Sequence, residues 1–360
     1  MKPSDLRYAR AHSDPLTQAL KTASRKYLHE QAMHRWGDGW FLLKGFFLFI
    51  SGSLFYGLTL SAGSVNTFTL CYVLFMFCSM LLAMNLLHDA AHGAAFRKPA
   101  LNRWVNRIIA LPLGIDPDYW TVRHVHYHHV HPNVDGADLD IEANAFLRQT
   151  PFHPYHSHFR FQHLYWPLIA GLSLPYINWV YDWSDRLGKT PIAHEKVLMG
   201  WRGWLIFLCA KSLHIGLTLI LPIMLLSNIS AWMIFGVYVI SQMVTSFFVV
   251  AMILGTHWAD ADFFLVPNNQ KMPHSWVAHS FHTAVDWQPK PRWLGYWMGG
   301  LNLHLTHHLF PTTHHRHYPA LARIVQQTAK QHGWHYRQIN YPTLIRLQQQ
   351  FLKRMGQAPS

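Results

Sequence analysis

The stretch Thr67–Leu87, TFTLCYVLFMFCSMLLAMNLL, leads without a break into His88-Asp-Ala-Ala-His92. An apolar run of about 20 residues is long enough to cross the hydrocarbon core of a bilayer as a helix. Residues four apart lie on the same face of a helix, so His88 and His92 can direct their imidazoles to one point. This stretch therefore predicts a membrane-spanning helix that ends in a pair of metal ligands.

Two more histidine clusters share this spacing. His124-Val-His-Tyr-His-His129 contains His124 and His128 four apart, and His304-Leu-Thr-His-His308 repeats the pattern. We call His88 and His92 the first cluster, His124, His128 and His129 the second, and His304, His307 and His308 the third. Eight imidazoles exceed the needs of one ion, so the pattern predicts two transition-metal ions. Imidazole suits zinc, copper, iron and nickel, and the residues alone leave the element open.

Three other apolar runs have the length of a membrane span. Half of the residues are hydrophobic and only 13% are charged, which is typical of a membrane protein. The predicted spans are Phe41–Leu60, Thr67–Leu87, Gly203–Leu226 and Ile229–Leu254. Trp166–Trp183 is interrupted by Pro175 and flanked by aromatic residues, so we expect it to lie in the membrane interface. The predicted fold class is all-α integral membrane, with four transmembrane helices and a cytosolic helical cap that holds the polyhistidine site.

The basic residues predict the orientation. Apart from Lys44 and Lys211, every Lys and Arg lies in the N-terminal segment, the middle loop or the C-terminal segment, and the connectors Ser61–Asn66 and Ser227–Asn228 carry none. Positive loops stay in the cytosol, so both termini and all three clusters should share the cytosolic side. The formal charge of +13 fits anionic lipid headgroups better than nucleic acid, because the basic residues flank spans instead of forming a reading surface.

The chain is expected to divide into three segments. These are a cytosolic N-terminal segment over 1–40, a membrane domain over 41–310 and a cytosolic C-terminal helical segment over 311–360. The N-terminus carries Asp5 and Asp14 and has no apolar core before Phe41, so it does not resemble a cleavable signal peptide.

The clusters and their surroundings resemble the membrane fatty acid desaturases and related hydroxylases, which have three histidine boxes around two pairs of spans. The most specific stretch is GGLNLHLTHHLFP, residues 299–311, which is similar to the third box of acyl desaturases including its Leu-Phe-Pro tail. The residues after the second cluster, Asn133, Gly136, Asp138 and Asp140, are also family-like. The resemblance extends from His88 to Tyr336.

This resemblance implies a non-haem centre of two iron ions that uses dioxygen to place a cis double bond in a long acyl chain. The substrate would be a fatty acyl lipid, an acyl-CoA or another acyl thioester. No cytochrome b5-like segment is recognisable in the sequence, so a separate donor of the ferredoxin or cytochrome b5 type is expected to supply two electrons. The expected location is a multi-pass membrane protein with its site on the cytosolic face, in the inner membrane if the source is bacterial.

The resemblance also implies one ligand ahead of the third cluster, which here would match His279, with His282 and His163 as alternatives. The full predicted ligand set is His88, His92, His124, His128, His129, His279, His304, His307 and His308; no other catalytic residue is predicted. Carboxylates commonly bond the second nitrogen of a metal-binding imidazole. Candidates for that role are Asp89, Asp138, Asp140 and Asp286, and the alternative for each is helix capping or a solvated charge.

Two other functions remain open at this stage. A related lipid or carotenoid hydroxylase or ketolase would use the same ligands, and the first cluster with its neighbours, HDAAHG, is also similar to that of carotenoid ketolases. A metal transporter is disfavoured because the four spans contain no acidic residue and the ionisable Lys211 and His214 are isolated in the sequence.

Overall fold

The computed structural model describes residues 6–10, 14–30, 34–192 and 197–358. Within these ranges the helices are α1 (Pro15–Glu30), α2 (Gly39–Leu60), α3 (Val65–Leu82), α4 (His88–Ala91), α5 (Pro99–Ala110), α6 (Pro117–Thr121), α7 (Gln162–Tyr176), α8 (Asp182–Arg186), α9 (Gly200–Ile215), α10 (Leu221–Leu225), α11 (Ala231–Ile253), α12 (Trp276–Thr283), α13 (Leu294–Trp297), α14 (His304–Leu309), α15 (Tyr318–Gln331) and α16 (Tyr341–Met355).

Short strands and irregular helical turns complete the described secondary structure. The strands β1 (Val134–Asp135) and β2 (Phe264–Leu265) form one parallel pair, and β3 (Asp286–Gln288) and β4 (Gln338–Asn340) form another. Wider π-helical turns cover Ala83–Leu87, Val122–His128, Ile177–Tyr181 and Gly216–Ile220, and 3₁₀ turns cover Leu111–Leu113, Leu139–Ile141, Ser157–Phe161, Leu254–His257 and His315–His317.

Four helical stretches are long and apolar enough to cross a membrane among the residues described. They are Gly39–Leu60, Val65–Ala91, Gly200–Leu225 and Ala231–His257. Each overlaps one predicted span, so the expectation of an all-α protein with four transmembrane helices is confirmed. The predicted interfacial stretch, Trp166–Trp183, is helical but is not among the four.

The chain folds into two compact units. Unit 1 contains the described residues of Met1–Trp36, Arg123–Trp166 and Met252–Ser360. Unit 2 contains Gly37–Val122 and those of Pro167–Ala251, and therefore most of the four spans. The predicted N-terminal and C-terminal segments thus fall mainly in the same unit, while the predicted boundaries at 40 and 310 stay a prediction.

Side-chain caps fix where the first two spans begin in unit 2. The Asp38 carboxylate accepts from the backbone N–H of Phe41 at the start of α2, and the Ser64 hydroxyl accepts from that of Thr67 at the start of α3. Both bonds satisfy N–H groups that the first helical turn leaves without a partner. Because the connector between the caps is only a few residues long, α2 and α3 pack against each other as neighbours.

Lys211 is not isolated in the fold, which corrects the expectation from the sequence. Its ammonium donates to the carbonyl of Gly114 (2.6 Å), to the carbonyl and side chain of Asn178 (2.7 and 2.9 Å) and to the carboxylate of Asp182 (2.8 Å). His214 likewise contacts the Asn178 amide and the Tyr238 hydroxyl. The partners lie outside the third span in the sequence, so the length and composition of that span could not reveal them.

We expect Lys211→Met to destabilise unit 2. Lys211 and Asp182 expose only 7% and 4% of their side chains, so the substitution leaves a buried carboxylate without its cation. Breaking one partner of such a pair costs about 3–5 kcal/mol, which would lower the melting temperature on the order of 10 °C. Thermal unfolding in detergent measures this, with the exposed Lys189→Met as control. The double variant Lys211→Met with Asp182→Asn should recover part of the loss, and no recovery would contradict the account.

Unit 1 is built on helices from both ends of the chain. The first helix, α1, packs against α12 and α15, and α14 packs against α12 and α15. Their shared core contains the buried residues Leu16, Leu20, Val277, Phe281, Ala284, Leu305, Leu309, Val325 and Ala329. Because α14 carries the third cluster, this core fixes the helix that presents those histidines.

Candidate metal centre

The second cluster lies on a π-helical turn. Val122–His128 forms this turn, and the backbone N–H of His129 donates to the carbonyl of His124, five residues earlier, over 2.9 Å. Such turns are rare and occur frequently at functional sites. In a turn of this width, residues four and five apart both lie close to the same face, which explains how His124, His128 and His129 point toward a common region.

Four histidines of unit 1 form one compact group. His128, His257, His304 and His308 each place a ring nitrogen within 4.8 Å of the others, and all four are buried. The closest pair is His257 and His304, whose Nε2 atoms lie 2.7 Å apart. His308 lies beside the other three rings, with centroids 5.0 Å from His128, 4.8 Å from His257 and 4.9 Å from His304.

A second group in unit 1 contains the remaining rings of the second and third clusters. His124, His129 and His307 place ring nitrogens within 4.8 Å of one another. The His129 ring stacks on His308 of the first group, with centroids 4.2 Å apart. The two groups are therefore adjacent, and together they bring seven imidazoles into one part of unit 1.

The first cluster belongs to unit 2. His88 begins α4 directly after the π-helical turn Ala83–Leu87, and His92 ends the same helix. Both rings are buried, and their centroids lie 4.9 Å apart. The predicted pairing of His88 with His92 on one helix face is thus present at the end of the second span.

The residues of unit 1 fit a metal ion. Metal–nitrogen bonds of about 2.0–2.1 Å place the nitrogens of two ligands within roughly 4 Å of each other. The ring nitrogens of each group lie within 4.8 Å of one another, which is close to this separation. Both ring nitrogens of His308 are buried without a hydrogen-bond partner among the residues described. Burial also lowers the pKa of His308 well below its usual range, which favours the neutral, metal-binding form of the ring.

Other protein groups contact three of these rings at Nδ1. The Asp138 carboxylate lies 3.1 and 3.2 Å from Nδ1 of His128, the Thr283 carbonyl accepts from Nδ1 of His257 over 2.8 Å, and the Tyr318 hydroxyl lies 2.8 Å from Nδ1 of His307. Each of these contacts engages Nδ1, so Nε2 is the nitrogen of these rings that could face a metal; in His257 this is the atom 2.7 Å from Nε2 of His304. Asp138 thus contacts a ring of the second cluster, and its role in supporting a metal ligand stays a prediction.

Charge distinguishes His128 from its neighbours. Burial alone lowers the pKa of His128, but the Asp138 and Asp140 carboxylates outweigh burial and raise it to about 9. Although burial favours a neutral Asp138, the His128 ring and the backbone N–H groups of Asn133 and Asp140 lower the pKa of that carboxyl. A metal at His128 must therefore displace a proton, while the carboxylate stays ionised.

The loop after the second cluster is held by Asn133. Its backbone has φ 57°, in the left-handed region that Asn tolerates better than most residues. From there its side-chain amide donates to the carbonyls of His257 (2.8 Å) and Asp262 (3.1 Å). Asn133 thus connects the second cluster to the backbone of His257.

The other candidate carboxylates have different surroundings. Asp140 reaches 3.5 Å from Nδ1 of His128 and is half-exposed. Asp286 accepts from the backbone N–H and hydroxyl of Thr306 and from the Tyr336 hydroxyl, so it caps α14. Burial raises the pKa of Asp286 to about 6. Asp89 is buried in α4, between the two histidines of the first cluster.

Similarity to known proteins identifies the family of this chain. The family model described as Fatty acid desaturase matches residues 63–340, more than three quarters of the chain. The chain belongs to the fatty acid desaturase family. It is a membrane enzyme, an oxidoreductase that acts on fatty acids, as the resemblance predicted.

Its relatives have acyl-lipid substrates by name. The sn-1 linoleoyl-lipid 6-desaturase of Synechocystis sp. is 27% identical over 77% of each chain. The protein of the same name from Arthrospira platensis is 28% identical over 70% of this chain and 68% of its own. The acyl-lipid (8-3)-desaturase of Physcomitrium patens is 27% identical over 99% of this chain and 74% of its own.

His279 lies outside both groups of this desaturase. Its Nε2 donates to the Pro132 carbonyl over 2.8 Å, and its Nδ1 lies 2.9 Å from Nε2 of His274. The Pro132 carbonyl therefore engages Nε2 of His279, whereas Nε2 of His257 faces the His304 ring. The assignment of His279 as a ligand stays a prediction from the resemblance alone.

His257 is the ring that the sequence reasoning missed. It is the last residue of the fourth membrane-spanning stretch, and His88 lies in the last turn of the second. That position was the available signal, but a single histidine without a neighbour at helical spacing resembles an ordinary interfacial residue. Its neighbours in the group, His128 and His304, are distant in the sequence.

We expect Asp138→Asn to lower the activity or the metal affinity of this desaturase by about 10–100-fold. A loss of this size is typical when a group that orients a metal ligand is removed. The amide loses the charge that supports His128 but keeps the size of the side chain. Product formation and bound metal in the purified variant measure the effect. Asp140→Asn is the matched control and should lose less, because Asp140 is farther from the ring and more exposed. Equal losses would contradict the specific role of Asp138.

Proposed function

We propose that this protein introduces a cis double bond into the acyl chain of a membrane lipid, using two iron ions, dioxygen and two electrons from a separate protein. The observation that carries the proposal is the set of seven buried or half-buried imidazoles in unit 1, in a chain of the desaturase family. The relatives named as acyl-lipid desaturases support a lipid-linked chain as substrate over an acyl thioester.

The proposed ligands in unit 1 are His124, His128, His129, His257, His304, His307 and His308. For His88 and His92 in unit 2, the prediction as ligands rests on the sequence, which places them at the end of a span with the spacing of the other clusters. In this proposal His257 takes the place of His279.

The chemistry that two iron ions supply when bound is the activation of dioxygen and the removal of two hydrogens from adjacent methylenes. The reaction balances as one saturated CH₂–CH₂ unit, one O₂, two electrons and two protons giving one CH=CH unit and two waters. Family membership supports this reaction, and iron rather than another metal is part of the proposal.

The residues of the chain hold and shield this chemistry. The imidazoles would provide neutral nitrogen ligands for the two ions. Burial of His128, His304, His307 and His308 keeps bulk water from the ligands. Asp138, Thr283 and Tyr318 fix the orientation of three rings. We place the site on the cytosolic face, because the basic residues flank the spans as positive-inside loops do.

The test is a fatty-acid methyl-ester profile by gas chromatography and mass spectrometry. Cells that express the chain are compared with cells that express His308→Ala. A new double bond in the first sample alone supports the proposal and gives the bond position. Oxygenated acyl chains or ketocarotenoids, without new unsaturation, would identify a hydroxylase or ketolase and overturn it.

A further inference from the structure

Unit 2 contains an apolar groove that the histidine site does not use. The groove has a volume of 370 Å³ and is formed by α5, α6, α9 and the turn after α5. This volume lies within the range of ordinary ligand sites, about 300–1,000 Å³. Most of its exposed wall is apolar and includes Trp104, Ile108, Leu205, Cys209 and Leu213.

The groove borders the lipid-facing surface of the unit. Trp104, Ile108, Leu205 and Leu213 expose more than half of their surface. Leu205 and Leu213 belong to the third span, where lipid tails are the surrounding medium. Helix α5 is amphipathic and carries Arg103 and Arg107 but no acidic residue, which is typical of a helix at the headgroup level. Hydrocarbon chains therefore have access to the groove.

Two arginines that line this groove each have a buried guanidinium nitrogen without an acceptor in the described part of the chain. Nε of Arg107 and Nε of Arg186 are both buried, and neither has a hydrogen-bond partner in the described part of the chain. Arg186 itself is more than nine-tenths buried. A buried N–H without an acceptor costs about 1–3 kcal/mol, so a bound oxygen would relieve a real penalty.

The charges at the groove are already balanced by the protein. Arg107 pairs with Asp118 (2.7 Å), Arg186 with Asp116 (3.0 Å) and Lys211 with Asp182 (2.8 Å). The three ion pairs together carry no net charge. A ligand with a full negative charge would add an unpaired charge in a medium of low dielectric constant, which is unfavourable. An uncharged acceptor, such as an ester carbonyl, satisfies an N–H without adding charge.

The geometry points to a glycerolipid site: the groove binds one ester-linked acyl chain of a membrane glycerolipid, with the chain along α9 and an ester carbonyl at Arg107 or Arg186. The polar headgroup would lie at the α5 surface, beside Trp104 and Arg103. A free fatty acid has the same chain but ends in a carboxylate, which the balanced charges disfavour. The site is a lipid-binding site additional to the proposed desaturation.

Cys209 provides the first test. Cys209→Trp places an indole in the groove, and Leu208→Trp places one on the same helix at an exposed residue that does not line the groove. Native mass spectrometry of the full-length proteins in mild detergent counts retained phosphatidylglycerol. We expect about one bound lipid in the wild type and in Leu208→Trp, and at least a fivefold lower occupancy in Cys209→Trp. Equal retention in all three would overturn the site.

Thiol protection tests the wild type without a substitution that could disturb folding. Of the three cysteines, Cys71 and Cys78 are buried and Cys209 is exposed, so N-ethylmaleimide should add once. Adding phosphatidylglycerol to delipidated protein should slow this alkylation at least tenfold. The control is Cys209→Ala with Leu208→Cys, whose thiol lies outside the groove and should be slowed much less. Equal slowing of the two thiols would show only general coverage by lipid and overturn the proposal.

The same measurement separates the two sources of the acyl chain. Palmitic acid at an equal concentration should protect Cys209 much less than phosphatidylglycerol. Its carboxylate would add a negative charge beside ion pairs that are already balanced, so it should bind more weakly. Stronger protection by palmitic acid would overturn the assignment to an ester-linked chain.

Discussion

Replacing His308 with alanine should abolish desaturation and remove most of the bound metal. His308 lies among His128, His257 and His304 and stacks on His129, so it touches both histidine groups of unit 1. Its two ring nitrogens have no hydrogen-bond partner in the described structure, so metal binding is the role that the ring can fill. We expect activity at least 100-fold below the wild type, measured as new unsaturated chains, with iron measured on the purified variant.

The variant should still reach the membrane, because His308 lies outside the four spans. His308→Gln keeps more of the side-chain volume and should show the same loss, which separates metal binding from packing. His335→Ala removes an exposed histidine and serves as the control, with activity and iron unchanged. Normal iron and full activity in His308→Ala would refute the ligand assignment.

We expect His257→Ala to lose iron and activity and His279→Ala to keep both. The Nε2 atom of His257 is 2.7 Å from that of His304, and its Nδ1 is fixed by the Thr283 carbonyl. The Nε2 atom of His279 is engaged by the Pro132 carbonyl instead. We therefore expect His257→Ala to lose at least one of two irons and at least 100-fold in activity, while His279→Ala keeps its iron and stays within a few-fold of the wild type.

Iron content and product formation, measured side by side on the two purified variants, decide between them. Because both rings are buried, each substitution can also lower stability, so the melting temperature is recorded for both. Loss of iron from His279→Ala together with full iron in His257→Ala would restore the original assignment of His279.

The spans and the three clusters were predictable because their signals are local. A span needs only an apolar run of sufficient length, and a pair such as His88 and His92 needs only helical spacing. The family followed from a longer local pattern, the glycines, histidines and Leu-Phe-Pro tail of residues 299–311.

The parts that were not predictable depend on contacts between distant segments. His257 approaches His128 and His304 only in the folded chain, and no spacing in the sequence signals that approach. Lys211 and Asp182 are 29 residues apart, on either side of a span boundary. The second cluster also lies on a π-helical turn instead of the α-helix that the spacing suggested. Because this turn is wider, His128 and His129 both lie close to the helix face of His124.

The glycine pair before the third cluster shows a similar limit. Gly300 has φ +73°, and a Cβ there would lie 2.7 Å from a ring carbon of Tyr318. That approach supports the contact of Tyr318 with His307. In the sequence, Gly300 and Tyr318 are eighteen residues apart, and nothing there indicates that the glycine leaves space for the tyrosine ring.

The central claim is that the histidines of this desaturase hold two iron ions. The most direct measurement is the metal content per chain of the purified, full-length protein from iron-supplemented cells, by inductively coupled plasma mass spectrometry, with Mössbauer spectra of the same sample. We predict about two irons per chain in nitrogen-rich sites. In His308→Ala, we expect both the iron content and the Mössbauer signal to be lost. A single iron, or zinc in place of iron in an active preparation, would contradict the account.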